Sequence, residues 1–361
     1  MISQPLDSLS QDLTCPTEHN PTDSVSCFAW VRNNQLKGFA CSSWDSSINI
    51  YRVDDQFTPH TLKYATSILT DDPCLSVEWQ SETILIGGCI DNTVKVFTVG
   101  GTLTSYGSKN GHQDAVKSVH WIDIYGVALS FSYDKTMKIW DFRTQEPVQS
   151  HQLGGKPYCV DVQFPYVALG LNDGRIAITS ITDILNTRAF NCSYIPAPFY
   201  DVEQITDISL FTQGDRFGFG VSSNFGRGSI YDLEQDLNRS ILGNRLLNFK
   251  AHKYDRPSHT YGIQQIMYPM NAIGMHPTST SLFTAGGDGN LFFWNYTQKQ
   301  KCTTLNFSGT PVTKAKFSPD GTMVAYATGY DYAKGIEGIQ SHKTSIGVHF
   351  VKPQDLAKPT P

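Results

Sequence analysis

No run in this chain approaches the roughly 20 consecutive apolar residues that span a bilayer, and its opening stretch, MISQPLDSLSQDLTCPTEHN, joins no basic start to an apolar segment. The expectation is a chain that is neither exported nor embedded in a membrane. Cys-x-x-Cys pairs are missing among the eight scattered cysteines (Cys15, Cys27, Cys41, Cys74, Cys89, Cys159, Cys192 and Cys302). Several of them sit inside apolar strand patterns, which predicts reduced core thiols rather than disulfides or a zinc site. Also lacking are a Gly-x-x-x-x-Gly-Lys-Ser/Thr phosphate loop, a His-Glu-x-x-His pair and a Gly-x-Ser-x-Gly elbow, so no enzyme chemistry, metal or cofactor is expected. The net charge of −5 argues against indiscriminate nucleic-acid binding by the whole surface, while leaving room for a local basic patch.

What is present is repetition. An apolar run, a small-residue strand, a tight turn built on Asp and a second apolar strand recur along the chain, most clearly in Asp114 to Phe142, DAVKSVHWIDIYGVALSFSYDKTMKIWDF. The turn positions Asp45, Asp91, Asp134, Asp173, Asn224, Asp288 and Asp331 lie 46, 43, 39, 51, 64 and 43 residues apart. Most of these steps match the roughly 40–45 residues of a four-stranded blade. The long step contains a polar insertion, about Glu234 to Pro269, that reads as a surface loop. Seven blades therefore fit, and the predicted fold is all-β, a seven-bladed WD40 β-propeller over residues 23–351. Residues 1–22 read as a flexible lead-in, part of which (Asp12 to Glu18) can supply the outermost strand of the last blade and remove an open sheet edge. Residues 352–361 read as a frayed tail.

Within the repeat, His112, Ser130, Asp134 and Trp140 can chain imidazole, hydroxyl, carboxylate and indole N–H, and His252, Thr284, Asp288 and Trp294 repeat the set. Two copies in one register indicate a structural network, since a hydrolase needs one copy and an oxyanion hole. Basic candidates gather in three places: Arg227 in FGRGS; Lys250, His252, Lys253 and Arg256 in FKAHKYDR; Lys299 and Lys301 in NYTQKQKC. Equivalent strand ends of neighbouring blades would project them onto one propeller face.

The stretches FKAHK, YPMNAIGMHP, TAGGDGNLFFW and AYATGYDYAKG, with DSVSCFAW, SSWDSSINIY, KSVHW, YDKTMKIWD and YCVDVQFP upstream, resemble the Rae/Gle class of nuclear-pore mRNA-export propellers from about Ser24 to Val351. The Bub-type mitotic-checkpoint propeller shares FKxH and YPxNAI, but is not expected to carry Tyr330 to Gly335. The resemblance implies a non-enzymatic scaffold, monomeric apart from its partner complex, in the nucleus at the nuclear pore complex and also in the cytoplasm. It implies docking of an acidic, hairpin-forming segment of a Gly-Leu-Phe-Gly nucleoporin, support of mRNA export, and contact with RNA or mRNA-protein particles. The alternative is a checkpoint adaptor binding kinase or kinetochore scaffold peptides. The family's partner-binding Arg falls on Arg227, its docking Trp on Trp294 and its following basic residues on Lys299 and Lys301, with Lys250 alongside. Where the family has a further Lys two residues after the Trp, this chain has Tyr296.

Overall fold

In the computed structural model, which describes residues 12–357 apart from 33–36, 56–58, 108, 200–202, 215, 236–240, 259–261, 334 and 336–342, seven four-stranded antiparallel sheets form a propeller. Blade 1 runs from Val25–Trp30 to Thr61–Leu69 and blade 2 from Cys74–Trp79 to Leu103–Tyr106. Blade 3 runs from Val116–Ile122 to Gln149–Gln152 and blade 4 from Pro157–Gln163 to Ser193–Ile195. Blades 5 and 6 run from Ile205–Gln213 to Ile241–Lys250 and from Met270–Met275 to Gln300–Asn306. Blade 7 is built from Val312–Phe317, Met323–Thr328 and Ser345–Phe350, and Leu13–Thr14 pairs antiparallel with the last of these.

Each sheet is buried on both faces, which explains the small-residue second strands. Every residue of Gly38–Ser43 and Ser281–Gly286 is buried. At Gly87 an added Cβ would lie 2.7 Å from the Phe97 ring, so neighbouring side chains fill the space that a larger residue would claim. The core is not one mass. It divides into seven clusters, one for each pair of adjacent blades. The cluster between blades 7 and 1 takes in Cys15 along with Phe28, Phe39, Met323 and Val348.

The innermost strands run side by side in the same direction. Between blades 5 and 6, Thr206 Oγ1 donates to Met270 O at 2.5 Å, Ile273 N to Asp207 Oδ2 at 3.2 Å and Met275 N to Ser209 Oγ at 3.0 Å. Every innermost strand also carries a bulge one residue from its start, at Ser26, Leu75, Lys117, Tyr158, Thr206, Asn271 and Thr313. Several bulged side chains reach the next blade: Ser26 Oγ donates to Cys74 O at 2.7 Å and Asn271 Nδ2 to Val312 O at 2.9 Å. The parallel arrangement has a geometric consequence. The turn between second and third strands lies on one face of the ring in every blade, here called the upper face, and the turn between third and fourth strands lies on the opposite, lower face.

Four details depart from the sequence reading. The polar insertion is not a plain loop: Ile241–Lys250 forms the outer strand of blade 5, and Lys253–Ser258 pairs with Gly262–Met267 as a separate hairpin. Leu246, Leu247 and Phe249 anchor that outer strand in the blade 5–6 cluster, while polar residues between them hide its apolar periodicity. The tail is not frayed throughout, because Pro353–Leu356 makes one helical turn and buries Asp355. Cys74 and Cys89, directly opposite on adjacent strands of blade 2, bring their sulfurs into contact, a pairing that the reading of scattered core thiols did not include. Cross-strand pairing at 15 residues' separation brings the two sulfurs together, and no spacing rule signalled it. Finally, Asp331 sits in a long connection between Met323–Thr328 and Ser345–Phe350 rather than in a tight turn, and Lys334 lies outside the described residues.

The polar network of blade 3 is continuous. His112 Nδ1 lies 2.9 Å from Asp134 Oδ2, its Nε2 lies 2.6 Å from Ser130 Oγ, and Trp140 Nε1 donates to the same Oγ at 2.7 Å. Asp134 also accepts from the backbone N–H of Gln113 and Thr136. Although burial opposes it, hydrogen bonds from His112 and Thr136 hold the Asp134 carboxyl well below the usual carboxylate range. In blade 6 the same set recurs, with His252 Nδ1 2.7 Å from Asp288, and His252 Nε2 and Trp294 Nε1 both on Thr284 Oγ1 at 3.1 and 3.0 Å. Blade 2 replaces the imidazole with the buried Lys95 amine, 2.8 Å from Asp91. Asp134→Ala is expected to destabilise the fold by about 1–3 kcal/mol, since it strips the acceptor from a buried imidazole. Chemical denaturation measures this, and a loss below about 0.5 kcal/mol, typical of a surface site, would contradict it.

The lead-in does similar structural work. Cys15 N donates to Ile346 O at 2.9 Å, Tyr51 Oη to His19 O at 2.8 Å and Thr22 N to Asp45 Oδ2 at 2.6 Å. Deleting residues 1–22 is therefore expected to cost on the order of 3 kcal/mol, because it removes the closing strand and leaves its partners unpaired. A truncated protein melting at the full-length temperature would contradict this.

Candidate partner-binding site

Arg227 opens the third strand of blade 5 on the upper face, directly after the turn at Gly226. That glycine has φ +63°, and a Cβ there would sit 2.8 Å from Tyr268 O, so the turn admits no side chain. Sequence alone shows no acidic partner for Arg227; the fold supplies one. Arg227 Nε lies 2.9 Å from Glu203 Oε1, and Ser223 Oγ donates to the other carboxylate oxygen at 3.1 Å. Glu203 is buried and comes from the linker leading into blade 5, 24 residues upstream, too distant for any local pattern to disclose. Arg227 thus neutralises a buried carboxylate while about a quarter of its side chain remains exposed.

Lys250 is exposed and stands opposite Arg227 in the strand register. Its neighbour Phe249 faces blade 6, where its ring centroid lies 5.0 Å from that of Trp294. Trp294 is half-buried: its Nε1 is committed to Thr284, and one side of the indole packs against Phe249 and Phe292 in the crevice between blades 5 and 6. Lys301 pairs with Trp294 across the strands, and its Nζ rests 4.3 Å from the centre of the Phe292 ring. Lys299 stands exposed in the adjoining turn with φ +52°. Tyr296 turns inward and donates to Gln213 Oε1 at 2.7 Å, so that position adds no charge to the surface.

The structure does not gather these residues on one face. Register places Arg227 and Lys250 at the upper end of blade 5, level with Asp207, and places Lys299 and Lys301 at the lower end of blade 6, level with Met275. Strand ends differ in which face they reach: Arg227 follows a second-to-third-strand turn and Lys299 lies in a third-to-fourth-strand turn. Phe249, Trp294, Phe292 and Lys301 form a stripe in the crevice between blades 5 and 6, while Lys250, next to Phe249 in an extended strand, and Arg227 opposite it stand on the other face of that sheet at the upper end of blade 5. Phe249 and Phe292 were missed as candidates; FKAH and LFFW carry them, but aromatics in a strand read as core. Such a stripe offers two-pronged and point-charge contacts to carboxylates, with flat apolar surface between them. His112 and Ser130, by contrast, are buried in blade 3, and Asp134 is turned toward them.

The WD domain, G-beta repeat family matches residues 11–52 and 103–141. The chain is a WD-repeat propeller. It is similar along most of its length to the "Poly(A)+ RNA export protein" of Schizosaccharomyces pombe, with 29% identity over 94% of this chain and 91% of that one. The "mRNA export factor GLE2" of Chaetomium thermophilum is 28% identical over the same shares. The "Spindle assembly checkpoint protein bub3" of Schizosaccharomyces pombe is 26% identical over 86% of this chain and 89% of its own. The resemblance to the export propellers, with the checkpoint propeller as sibling, is borne out. Its motifs now have physical roles. The His of FKAH is His252 of the blade 6 network, and the Asn of YPMNAI is Asn271, whose bulge ties blade 6 to blade 7.

Proposed function

We propose that this chain is a non-enzymatic scaffold for mRNA export at the nuclear pore, and that an acidic hairpin segment of a Gly-Leu-Phe-Gly nucleoporin docks along the stripe between blades 5 and 6. The observation that carries this reading is the packing of Phe249, Trp294, Phe292 and Lys301 in the crevice between blades 5 and 6, with Arg227 and Lys250 at the upper end of blade 5, in a chain whose relatives are named export factors. An extended segment crossing from the upper face into the crevice meets Arg227 and Lys250 first and Lys301 last. RNA or an mRNA-protein particle reaches the complex through the exposed remainder of the same basic stripe.

Purifying the tagged protein from interphase and mitotic cells and identifying its tightest partner tests the assignment. Recovery of a nucleoporin, with a nuclear-rim ring in interphase, is the expected outcome. A kinase or kinetochore scaffold as tightest partner, with kinetochore foci in mitosis, would replace it with the checkpoint adaptor.

A further inference from the structure

The central channel holds a pair of cations with no assigned role. Short polar side chains occupy the strand bulge in blades 1, 5, 6 and 7, and those of Ser26, Thr206 and Asn271 bind the first carbonyl of the next innermost strand. Blade 3 has Lys117 at this position, and its amine makes no hydrogen bond or ion pair among the described residues. The side chain is partly exposed and lies within electrostatic reach of Lys314, Cys159, Asp207 and Cys27. These come from blades 7, 4, 5 and 1, so the amine points toward the propeller axis. Just below it, the residues that directly follow the bulges, Cys27, Ser76, Ser118, Asp207 and Lys314, line a cavity of about 250 Å³ in the channel.

Charge is shared unevenly along this channel. Toward its lower end cations and carboxylates meet: Arg32 donates to Glu78 at 2.9 Å, and Lys316 lies in the field of Glu78 and Asp161. Toward its upper end two ammonium groups, Lys117 and Lys314, stand beside the single carboxylate of Asp207. Asp207 accepts from Ile273 N at 3.2 Å and forms no salt bridge with either amine. Lys314 Nζ reaches the Asn271 carbonyl at 3.5 Å, a long contact that leaves its other two protons for an incoming acceptor. Burial and the neighbouring Lys314 ammonium push the Lys117 amine below its ordinary range, which is the mark of a cation lacking a counter-charge. Both lysines keep some exposure to the channel, so an occupant can reach them.

We propose that the upper channel binds a phosphate group between the ammonium groups of Lys117 and Lys314. A tetrahedral oxyanion suits the place: it is small enough for the narrow cavity, carries charge enough to answer two cations, and offers acceptor oxygens in several directions to amines that approach from different blades. Bound there, it ties blade 3 to blade 7 across the axis. The site is separate from the blade 5–6 stripe and does not depend on what docks there.

The test titrates the full-length protein by calorimetry with inorganic phosphate and with glycerol 2-phosphate, sodium chloride holding the ionic strength constant. Inorganic phosphate is expected to bind with a Kd of about 1 mM or tighter. Lys117→Met and Lys314→Met, which keep an apolar stem and lose the charge, are each expected to weaken it by about ten-fold or more. Lys250→Glu/Lys301→Glu, distant from the channel, should leave it unchanged. Equal binding of glycerol 2-phosphate would support a phosphate ester entering from the upper mouth, and its exclusion would support the free ion, both on the same two amines. No binding of either compound to the wild type up to about 10 mM would overturn the proposal whatever the variants do. So would phosphate binding that both channel variants leave intact, or that the Lys250→Glu/Lys301→Glu variant abolishes.

Discussion

His349→Ala is expected to destabilise this propeller by about 3–5 kcal/mol, among the largest losses from any single substitution in the chain, because it strands two buried carboxylates. His349 Nδ1 lies 2.7 Å from Asp12 Oδ1 and its Nε2 lies 3.1 Å from Asp355 Oδ2. All three side chains are at most 3% exposed. Asp12 precedes the closing strand and Asp355 lies in the C-terminal turn, so one imidazolium ties both ends of the described chain to blade 7. The turn it fixes is docked further by Leu356 O, which accepts from Ser281 Oγ at 2.6 Å and Asn295 Nδ2 at 3.0 Å in blade 6. Denaturant unfolding of the variant measures the loss. A cost below about 1 kcal/mol would show that the two carboxylates find other partners.

The same cluster sets a pH dependence whose sign is fixed by its shifts. Although burial works against it, hydrogen bonds to Asp12 and Asp355 raise the His349 pKa to about 9, above its ordinary 6.5. Its contribution is therefore fully present below pH 6.5 and is lost as pH rises through about 9. Asp355, despite burial, is held below its ordinary 3.8 by His349 and by the Lys352 N–H, so its contribution is lost only as pH falls through that lowered value. The stability difference between wild type and His349→Gln is expected to be largest between about pH 4 and 6.5. It should shrink by on the order of 3 kcal/mol by pH 9, at about 1.4 kcal/mol per unit. Taking the difference matters because His112, His120, His151 and His276, all shifted down by burial, titrate in the opposite sense in both proteins. A difference that stays level from pH 6 to 9 would contradict a charged imidazole.

The blades were legible because their signal is local and repeated. Turn carboxylates such as Asp134 and Asp288 lie two residues from the hydroxyl or amide they bind, and each stands at a fixed distance from an aromatic that ends its strand. The pairings that stayed hidden are remote. Glu203 meets Arg227 across a linker and a strand pair, Asp12 meets His349 from the other end of the chain, and Cys89 faces Cys74 only through register. Lys95 is hidden for a different reason: a lysine in a strand reads as exposed, yet its amine replaces a blade imidazole. At the candidate site the residue types were readable from sequence, but their placement was not, because which end of a strand a residue occupies depends on which turn it follows.

The Glu203 pairing also determines how the docking stripe is to be probed. Reversing Arg227 would set a carboxylate against a buried one and damage the fold, so loss of binding in that variant would carry no information about the surface. Lys250 and Lys301 are exposed, and reversing their charges should leave stability within about 0.5 kcal/mol.

The most direct measurement is a fluorescence-anisotropy titration of a labelled acidic segment of a Gly-Leu-Phe-Gly nucleoporin against wild type and Lys250→Glu/Lys301→Glu, at low and at physiological salt. Losing one close charge contact in a complex costs about 2–5 kcal/mol, so turning two attractions into repulsions is expected to weaken binding by at least about 100-fold. Wild-type affinity should itself fall as salt rises, since exposed opposite charges steer the encounter. A folded double variant that captures the segment with wild-type affinity would contradict the account and would move the partner surface off the blade 5–6 stripe.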